Sequence, residues 1–362
     1  MSAAMRLSRW HTGLTATNPS VAALVVRDGA IVGAAVTAPG GRPHAETQAL
    51  SMAGGKARGA TLYVTLEPCS HHGKPPPCAD AITAAGIARV VVSLTDPDPR
   101  VSGRGLAILR DAGIAVESGV LEEEGRRVLG AYLMRQTRGR PQVTLKLAVS
   151  ADGMIGRRDH APGEGQVAIT GPVARAQVHV LRAEMDAILV GIGTALADDP
   201  ELTCRAPGLE ARSPLRIVLD RRLDLPPASK LVRSARDVPV IAASIGDASE
   251  TPEPPGSGRA VRRQTLADAG VEILETGSLA TLLSSLAARG VSSLLVEGGA
   301  GVARSFLDQG LVDRILLFEG TTTVGASGLA SPLTRADMPA GFRLLREEAF
   351  GPDRLTEYER FS

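Results

Sequence analysis

Aromatic side chains are scarce in this chain: one Trp, three Tyr and five Phe among 362 residues. Its cores must therefore be built from Val, Leu, Ile and Ala, and few rings remain to stack exposed bases, as single-strand nucleic-acid binders require. Cysteine is equally sparse, and three thiols are too few for a disulfide framework. Charge of one sign is missing as well. With 40 Lys and Arg against 39 Asp and Glu, the formal net charge of +1 argues against a broad phosphate-binding surface, although local patches remain open. No segment approaches the ~18 uninterrupted apolar residues of a membrane helix. The N-terminal stretch carries Arg6, Arg9 and His11 among short apolar runs, without the continuous apolar region of a signal peptide. What remains is 44% hydrophobic and 22% charged, a globular composition at a length comfortable for two domains of roughly 100–200 residues each. The expectation is a soluble, cytoplasmic, two-domain protein with reduced thiols.

Strand-like and helix-like runs alternate in the first half. Apolar runs at 21–26 and 30–36 flank Asp28-Gly29, a strong hairpin signal. Residues 45–52 suit a helix, 61–66 (TLYVTL) a strand, and an Ala-rich helix at 79–85 is stopped by Gly86. Further on, 89–94 reads as a buried strand, 105–112 as a helix, 114–117 as a strand, and 121–137 as one longer helix. This pattern predicts an α/β unit over residues 1–138. Arg138-Gly139-Arg140-Pro141 is the best linker, and a second unit follows over 141–362. There, strands are expected at 143–149, 187–190, 215–219, 238–243, 271–274 and 293–296. Helices are expected from Pro172, which suits a first turn, and over 279–288. Residues 246–258 (GDASETPEPPGSG) read as a surface loop.

One constellation in the first half carries chemistry. His44-Ala45-Glu46 precedes Pro68-Cys69, and Cys78 follows after eight intervening residues. Two thiolates and an imidazole give zinc three protein ligands and leave a fourth tetrahedral position for water. Bound water whose pKa falls towards ~7 becomes a nucleophile at neutral pH. Glu46, two residues beyond the histidine, can reach that water without occupying a coordination position, take its proton and pass it to a departing amine. These are the parts of a zinc deaminase, although the cysteine spacing is longer than the common C-x-x-C form. Two other readings stay open: buried cysteines beside a surface histidine, or a closed structural zinc site with His71 or His72 as fourth ligand. The closed site leaves Glu46 without a role.

The sequence around these residues resembles the RibD family of bifunctional riboflavin-biosynthesis enzymes. PHAETQAL (43–50) and GATLYVTLEPCSHHGKPPPCADAI (59–82) are similar to its deaminase domain, as are Asn18-Pro19, Asp96-Pro97-Asp98-Pro99 and Gly103-Arg104-Gly105. The resemblance implies a cytidine-deaminase-like α/β/α fold, zinc held by His44, Cys69 and Cys78, and Glu46 as proton shuttle. It also implies a 2,5-diaminopyrimidinone substrate carrying a ribosylamino 5′-phosphate. Asn18, His71, Lys74 and the loop at 98–104 become candidates for contact with it. Ser20-Val21-Ala22 departs from the Val-Gly pair usual in the family.

The second half has no G-x-G-x-x-G, since Gly191-Ile192-Gly193 is followed by Leu196. It offers instead a strand running into Glu297-Gly298-Gly299-Ala300-Gly301 and a helix, where backbone amides can approach an anion. A tight turn without a ligand is the plain alternative. VTLKLAVSADG (143–153), the run at 169–205, LRIVLD and LLVEGG resemble the reductase domain of the same family. That implies a dihydrofolate-reductase-like α/β fold, NADPH, and hydride transfer to C1′ of the ribosylamino group. Ala148, Ala168, Thr194, Asp198, Arg221, Gly299, Ala300, Gly301, Val302, Ala303, Arg304 and Ser305 match cofactor-contacting positions. Lys146, Gln166, Arg182, Leu202, Arg205 and Glu297 are the substrate-side candidates, Arg182 and Arg205 being suited to a phosphate. Ala168 stands where family members often carry Trp. Cys204 belongs to no constellation. The partner expected is a small phosphorylated pyrimidine, with no nucleic acid and no membrane, and a homo-oligomer is left open. The rival readings are a zinc deaminase of another nucleoside or tRNA base, and a catalytically silent zinc-binding module.

Overall fold

Asp28 and Gly29 both take left-handed φ, 50° and 77°, the pair of values a type I′ hairpin turn needs. They join β1 (Ala22–Arg27) to β2 (Ala30–Val36) in antiparallel register. The computed structural model describes residues 1–70, 76–98, 101–158, 167–246 and 258–361. The chain falls into two units, Met1–Arg140 and Pro141–Ser362.

In the first unit, β3 (Thr61–Leu66), β4 (Arg89–Leu94) and β5 (Ala115–Ser118) complete a sheet of order β2-β1-β3-β4-β5, with β3, β4 and β5 parallel. Successive side chains of a strand face opposite sides, and β1 shows the consequence. Ala23 and Val25 pack with α2 (Ala45–Ala53), α3 (Cys78–Ala84) and α4 (Arg104–Asp111) through Ala49, Ile82 and Leu109. Ala22 and Leu24 pack on the other side against Ala4 of α1 (Ser2–Ser8). The result is an α/β/α sandwich. The expected single helix at 121–137 is instead two, α5 (Glu122–Val128) and α6 (Gly130–Arg138). Leu129 leaves helical geometry at φ −97°, ψ 11° and turns a nearly fully buried side chain into the core. Gly130, a poor helix former, makes the break inexpensive.

The second unit is organised by a nine-stranded sheet. Its strands are β6 (Gln142–Val149), β8 (Ala187–Gly191), β9 (Leu215–Leu219), β10 (Val240–Ile245), β11 (Glu272–Thr276), β12 (Ser293–Glu297), β13 (Arg314–Glu319), β15 (Phe342–Phe350) and β16 (Asp353–Arg360). Short β7 (Met154–Arg157) and β14 (Gly328–Ala330) pair with each other. In the order β11-β10-β9-β8-β12-β6-β13-β16-β15 the first seven strands are parallel, and the last two add as an antiparallel hairpin. Parallel strands are covered on both faces and read as continuous apolar runs; β8 and β12 are buried along their whole length. One face packs Leu145, Leu189 and Leu294 against Phe306, the other Val190, Val218 and Leu295 against Phe318. The helices are α7 (Pro172–Ala183), α8 (Ile192–Asp198), α9 (Lys230–Arg233), α10 (Gly258–Asp268), α11 (Leu279–Ala288) and α12 (Ala300–Asp308). Of the surface loop expected at 246–258, only Gly246 and Gly258 are described, and Gly258 already opens α10. No helix among the described residues is long and apolar enough to cross a membrane.

Candidate active sites

In the first unit, His44 stands at the N-cap of α2, Glu46 in its first turn, Cys69 beyond the end of β3, and Cys78 at the first position of α3. Strand ends and helix starts thus bring together residues from three separate segments. His44 Nδ1 lies 3.6 Å from Cys69 Sγ and 3.4 Å from Cys78 Sγ. Tetrahedral coordination at usual zinc–sulfur and zinc–nitrogen lengths holds such atoms about 3.5 Å apart. The donor set therefore fits zinc, and no other group of three or more His, Cys, Asp or Glu among the described residues has comparable convergence.

The electrostatics agree. The Cys78 thiol donates a hydrogen bond to Cys69, which with His44 pulls the Cys69 thiol down to about 4; the same hydrogen bond and burial push Cys78 up. Glu46 is 3% exposed, and burial raises its carboxyl above the usual range. A pocket of about 220 Å³ lies over these residues, bordered by Asn18, Arg42, Asp98 and Val101. Glu67, Asp96 and Tyr132 border it too, and no role was expected of any of the three from the sequence. Glu67 was within sight, immediately before Pro68-Cys69. His71 and Lys74 lie outside the described residues.

A cleft of about 750 Å³ opens in the second unit and is lined by Lys146, Ala148, Ala168, Arg182, Thr194, Asp198, Leu202, Arg205, Glu297, Gly299, Ala300 and Gly301. Arg182 and Glu297 pair across it through two hydrogen bonds of 2.9 Å each. Arg182 also donates to the Thr203 carbonyl at 3.1 Å, so the bidentate partner of this guanidinium in the structure is Glu297. Burial alone would raise the Glu297 carboxyl, but the charge and hydrogen bonds of Arg182, with Lys146, hold it at about 2. Burial lowers Lys146, with Glu297 opposing. Arg205 is exposed and paired with Glu201 at 2.7 Å.

Gly298 takes φ 122° at the end of β12, and the Gly299 N–H donates to Thr194 Oγ1 at 3.0 Å. Val302 and Ser305 line a neighbouring cavity of about 580 Å³; Gly193 and Gly301 border both spaces. A Cβ on either of those glycines would meet nothing within 4 Å, so both stand against open space. Ala303 is fully buried in the core, while Arg304 and Arg221 are exposed and line neither space. Gln166 lies outside the described residues. Arg175 and His179, missed in the sequence, share a face of α7 with Arg182 at helical spacing and line the cleft. His179 Nδ1 accepts the Arg205 N–H at 3.2 Å, which leaves the ring proton on Nε2.

The fold and these two sites define a class: a cytidine-deaminase-like α/β/α unit with a zinc-type site, followed by a dihydrofolate-reductase-like α/β unit. The cytidine and deoxycytidylate deaminase zinc-binding region matches residues 1–94, and the RibD C-terminal domain matches 141–356. The chain belongs to the RibD family of riboflavin-biosynthesis proteins. It is 40% identical to the riboflavin biosynthesis protein RibD of Aquifex aeolicus, with 90% of this chain and 87% of that protein covered. The Escherichia coli RibD is also 40% identical, with 90% and 88% covered. Among solved structures, an Acinetobacter baumannii RibD superposes with TM-score 0.84 at 34% identity, covering 100% and 98% of the two chains. A Thermotoga maritima diaminohydroxyphosphoribosylaminopyrimidine deaminase/5-amino-6-(5-phosphoribosylamino)uracil reductase superposes with TM-score 0.82 at 36% identity, covering 100% and 97%.

Proposed function

We propose that this chain performs two consecutive steps of riboflavin biosynthesis. It deaminates 2,5-diamino-6-(5-phosphoribosylamino)pyrimidin-4(3H)-one, and then reduces the ribosyl group of the product to ribityl. Residues 1–138 are the deaminase and 141–362 the reductase. The observation that carries the reading is the convergence of His44, Cys69 and Cys78 beside buried Glu46.

His44, Cys69 and Cys78 would hold zinc, which would supply the Lewis acidity that makes water a nucleophile near neutral pH. Glu46 takes the proton of the attacking water and delivers it to the 2-amino nitrogen. A C–O bond forms at C2, the C–N bond breaks, and ammonia leaves to give the uracil ring. The raised Glu46 carboxyl suits a group that must both accept and return a proton. Asn18 and Asp98 are the substrate contacts we assign on the pocket rim.

In the second unit the space bordered by Gly193 and Gly301 would hold NADPH, with Ala148, Ala168, Thr194, Asp198, Gly299, Ala300, Gly301, Val302 and Ser305 as its contacts; Arg221, Ala303 and Arg304, which line neither cavity, are not among them. NADPH bound there would supply a hydride to C1′. Lys146 is the candidate proton donor, since burial moves its ammonium towards neutrality. Glu297 and Arg182 hold each other and wall the substrate side; Leu202 lies beside them, and Arg205 meets the 5′-phosphate. We place the protein in the cytoplasm, where the Cys69 and Cys78 thiols stay reduced.

The test is incubation with the diaminopyrimidinone phosphate, with and without NADPH, following products by mass. The expected result is ammonia and the aminouracil without NADPH, and the ribityl product with it. No ammonia from zinc-loaded protein would remove the reading.

A further inference from the structure

Glu67 follows β3 directly and stands two residues before Cys69, yet the deaminase chemistry gives it nothing to do. It is 3% exposed and borders the same pocket as His44 and Glu46. A buried carboxylate is costly unless its oxygens are satisfied, and the hydrogen-bond donors to this one are backbone amides. Oε2 accepts from the N–H of Asp96 at 3.2 Å and of Gly103 at 3.0 Å. Oε1 accepts from Gly105 at 3.0 Å and Leu106 at 3.4 Å.

Three of those donors open α4. This helix has no side-chain cap at Gly103 and no acidic residue in its first turn. Glu67 therefore supplies, from another element, the acceptors and the negative charge that a helix N-terminus wants. The fit is close, because a Cβ on Gly105 would lie 2.1 Å from the Pro68 carbonyl oxygen. The start of α4 thus rests on the Glu67-Pro68 segment that leads into Cys69. A second carboxylate extends the arrangement towards the pocket. Asp96 accepts from the Asp98 N–H at 2.9 Å and from the Tyr132 hydroxyl at 2.9 Å. Asp96, Asp98 and Val101 all line the pocket.

We propose that Glu67 is a positioning residue of the deaminase pocket: it ties the wall carrying Asp96, Asp98 and Val101 to the segment bearing Cys69, and so sets how tightly the pyrimidine is held. This rests on the deaminase reading above. Glu67 acts through backbone and touches neither the reacting atoms nor the metal ligands' sulfurs. Its loss affects substrate grip more than the chemical step.

The test uses the full, zinc-loaded chain carrying Glu67→Gln, which keeps the shape but turns an amide NH₂ towards N–H donors. KM for the diaminopyrimidinone phosphate should rise about tenfold with kcat within about twofold, as loss of one or two charge-assisted hydrogen bonds predicts. Zinc content should stay at the wild-type level, and hydrogen exchange at Gly105 and Leu106 should quicken. Glu67→Asp keeps the charge on a shorter arm, and should show a smaller rise in KM; it carries the test if the Gln variant does not fold. Faster exchange with unchanged KM in the folded variants would overturn the proposal, leaving Glu67 a packing residue only. A fall in kcat at constant KM would overturn it too. Absence of ammonia release from the wild type would instead sink the deaminase reading, which separates the two failures.

Discussion

The zinc-type site draws four chemical residues from three short segments, each at a helix start or strand end, around a pocket of about 220 Å³. The cleft of the second unit is about 750 Å³, and its central ion pair joins residues 115 positions apart. A metal demands a few atoms of fixed type at fixed separation, so little chain is needed and each ligand is indispensable. A cleft for a dinucleotide and a sugar phosphate demands surface, supplied by backbone, glycines and apolar walls. The first site should therefore fail abruptly when one residue is changed. The second should fail through the buried Arg182–Glu297 pair and tolerate change along its walls.

The largest effect expected is at the first site. Glu46→Gln should lower ammonia release by about 10²–10⁴-fold while about one zinc per chain is retained and NADPH oxidation persists when the deaminated aminouracil phosphate is supplied. Removing zinc with a chelator should likewise abolish deamination and spare the reductase. Loss of NADPH oxidation with supplied aminouracil phosphate, alongside loss of ammonia release, would break the division into two sites.

Next comes the buried pair. Glu297→Gln leaves the Arg182 guanidinium facing a neutral amide, a change that costs about 3–5 kcal/mol when one partner of a buried pair is lost. Denaturant unfolding should show that loss in the second unit, and NADPH oxidation should fall while ammonia release continues. An unchanged transition would mean that the cleft does not depend on the pair.

The same pair sets a pH dependence. The Glu297 carboxyl is held at about 2 in the folded state, against about 4.3 in an unfolded chain. In that window the unfolded state binds the proton and the folded state does not, so stability falls with falling pH. The contribution is complete above the unfolded value and is lost as pH drops towards 2. Acid unfolding curves of Glu297→Gln should have a shallower slope there than wild type, and parallel curves would sink the assignment. The smallest effect belongs to the hairpin turn, far from either chemistry. A Cβ at Gly29 meets nothing within 4 Å, but its φ of +77° makes Gly29→Ala cost about 1 kcal/mol, read as a small shift in the first unit's melting with both activities kept.

The parts legible in the sequence share a physical reason. Asp28-Gly29 announced its hairpin because few residues accept two successive left-handed φ values. β8 and β12 announced themselves because parallel strands buried on both faces need unbroken apolar runs. The β15–β16 hairpin went unanticipated. β15 is an edge carrying Arg343, Arg346, Glu347 and Glu348, exposed along most of its length, as an unpaired edge needs in order to avoid association. Such a strand has no unbroken apolar run to betray it. The break at Leu129 was hidden for another reason, since helical periodicity continues across it and only the pull of the core decides where Leu129 points.

The sites divide in the same way. The types and order of His44, Glu46, Cys69 and Cys78 were set by the sequence alone, because coordination chemistry restricts which side chains can serve. The scarcity of thiols and rings already excluded a disulfide scaffold and a base-stacking surface. Only the tertiary structure decided that Arg182 clasps Glu297, that His179 and Arg175 join the cleft, and that Glu67 caps a helix from another element. Those are long-range pairings made with backbone amides or with charges distant in the chain. Such groups carry no local signature, since any buried carboxylate needs donors but nothing in its neighbourhood along the chain says which donors the fold will bring.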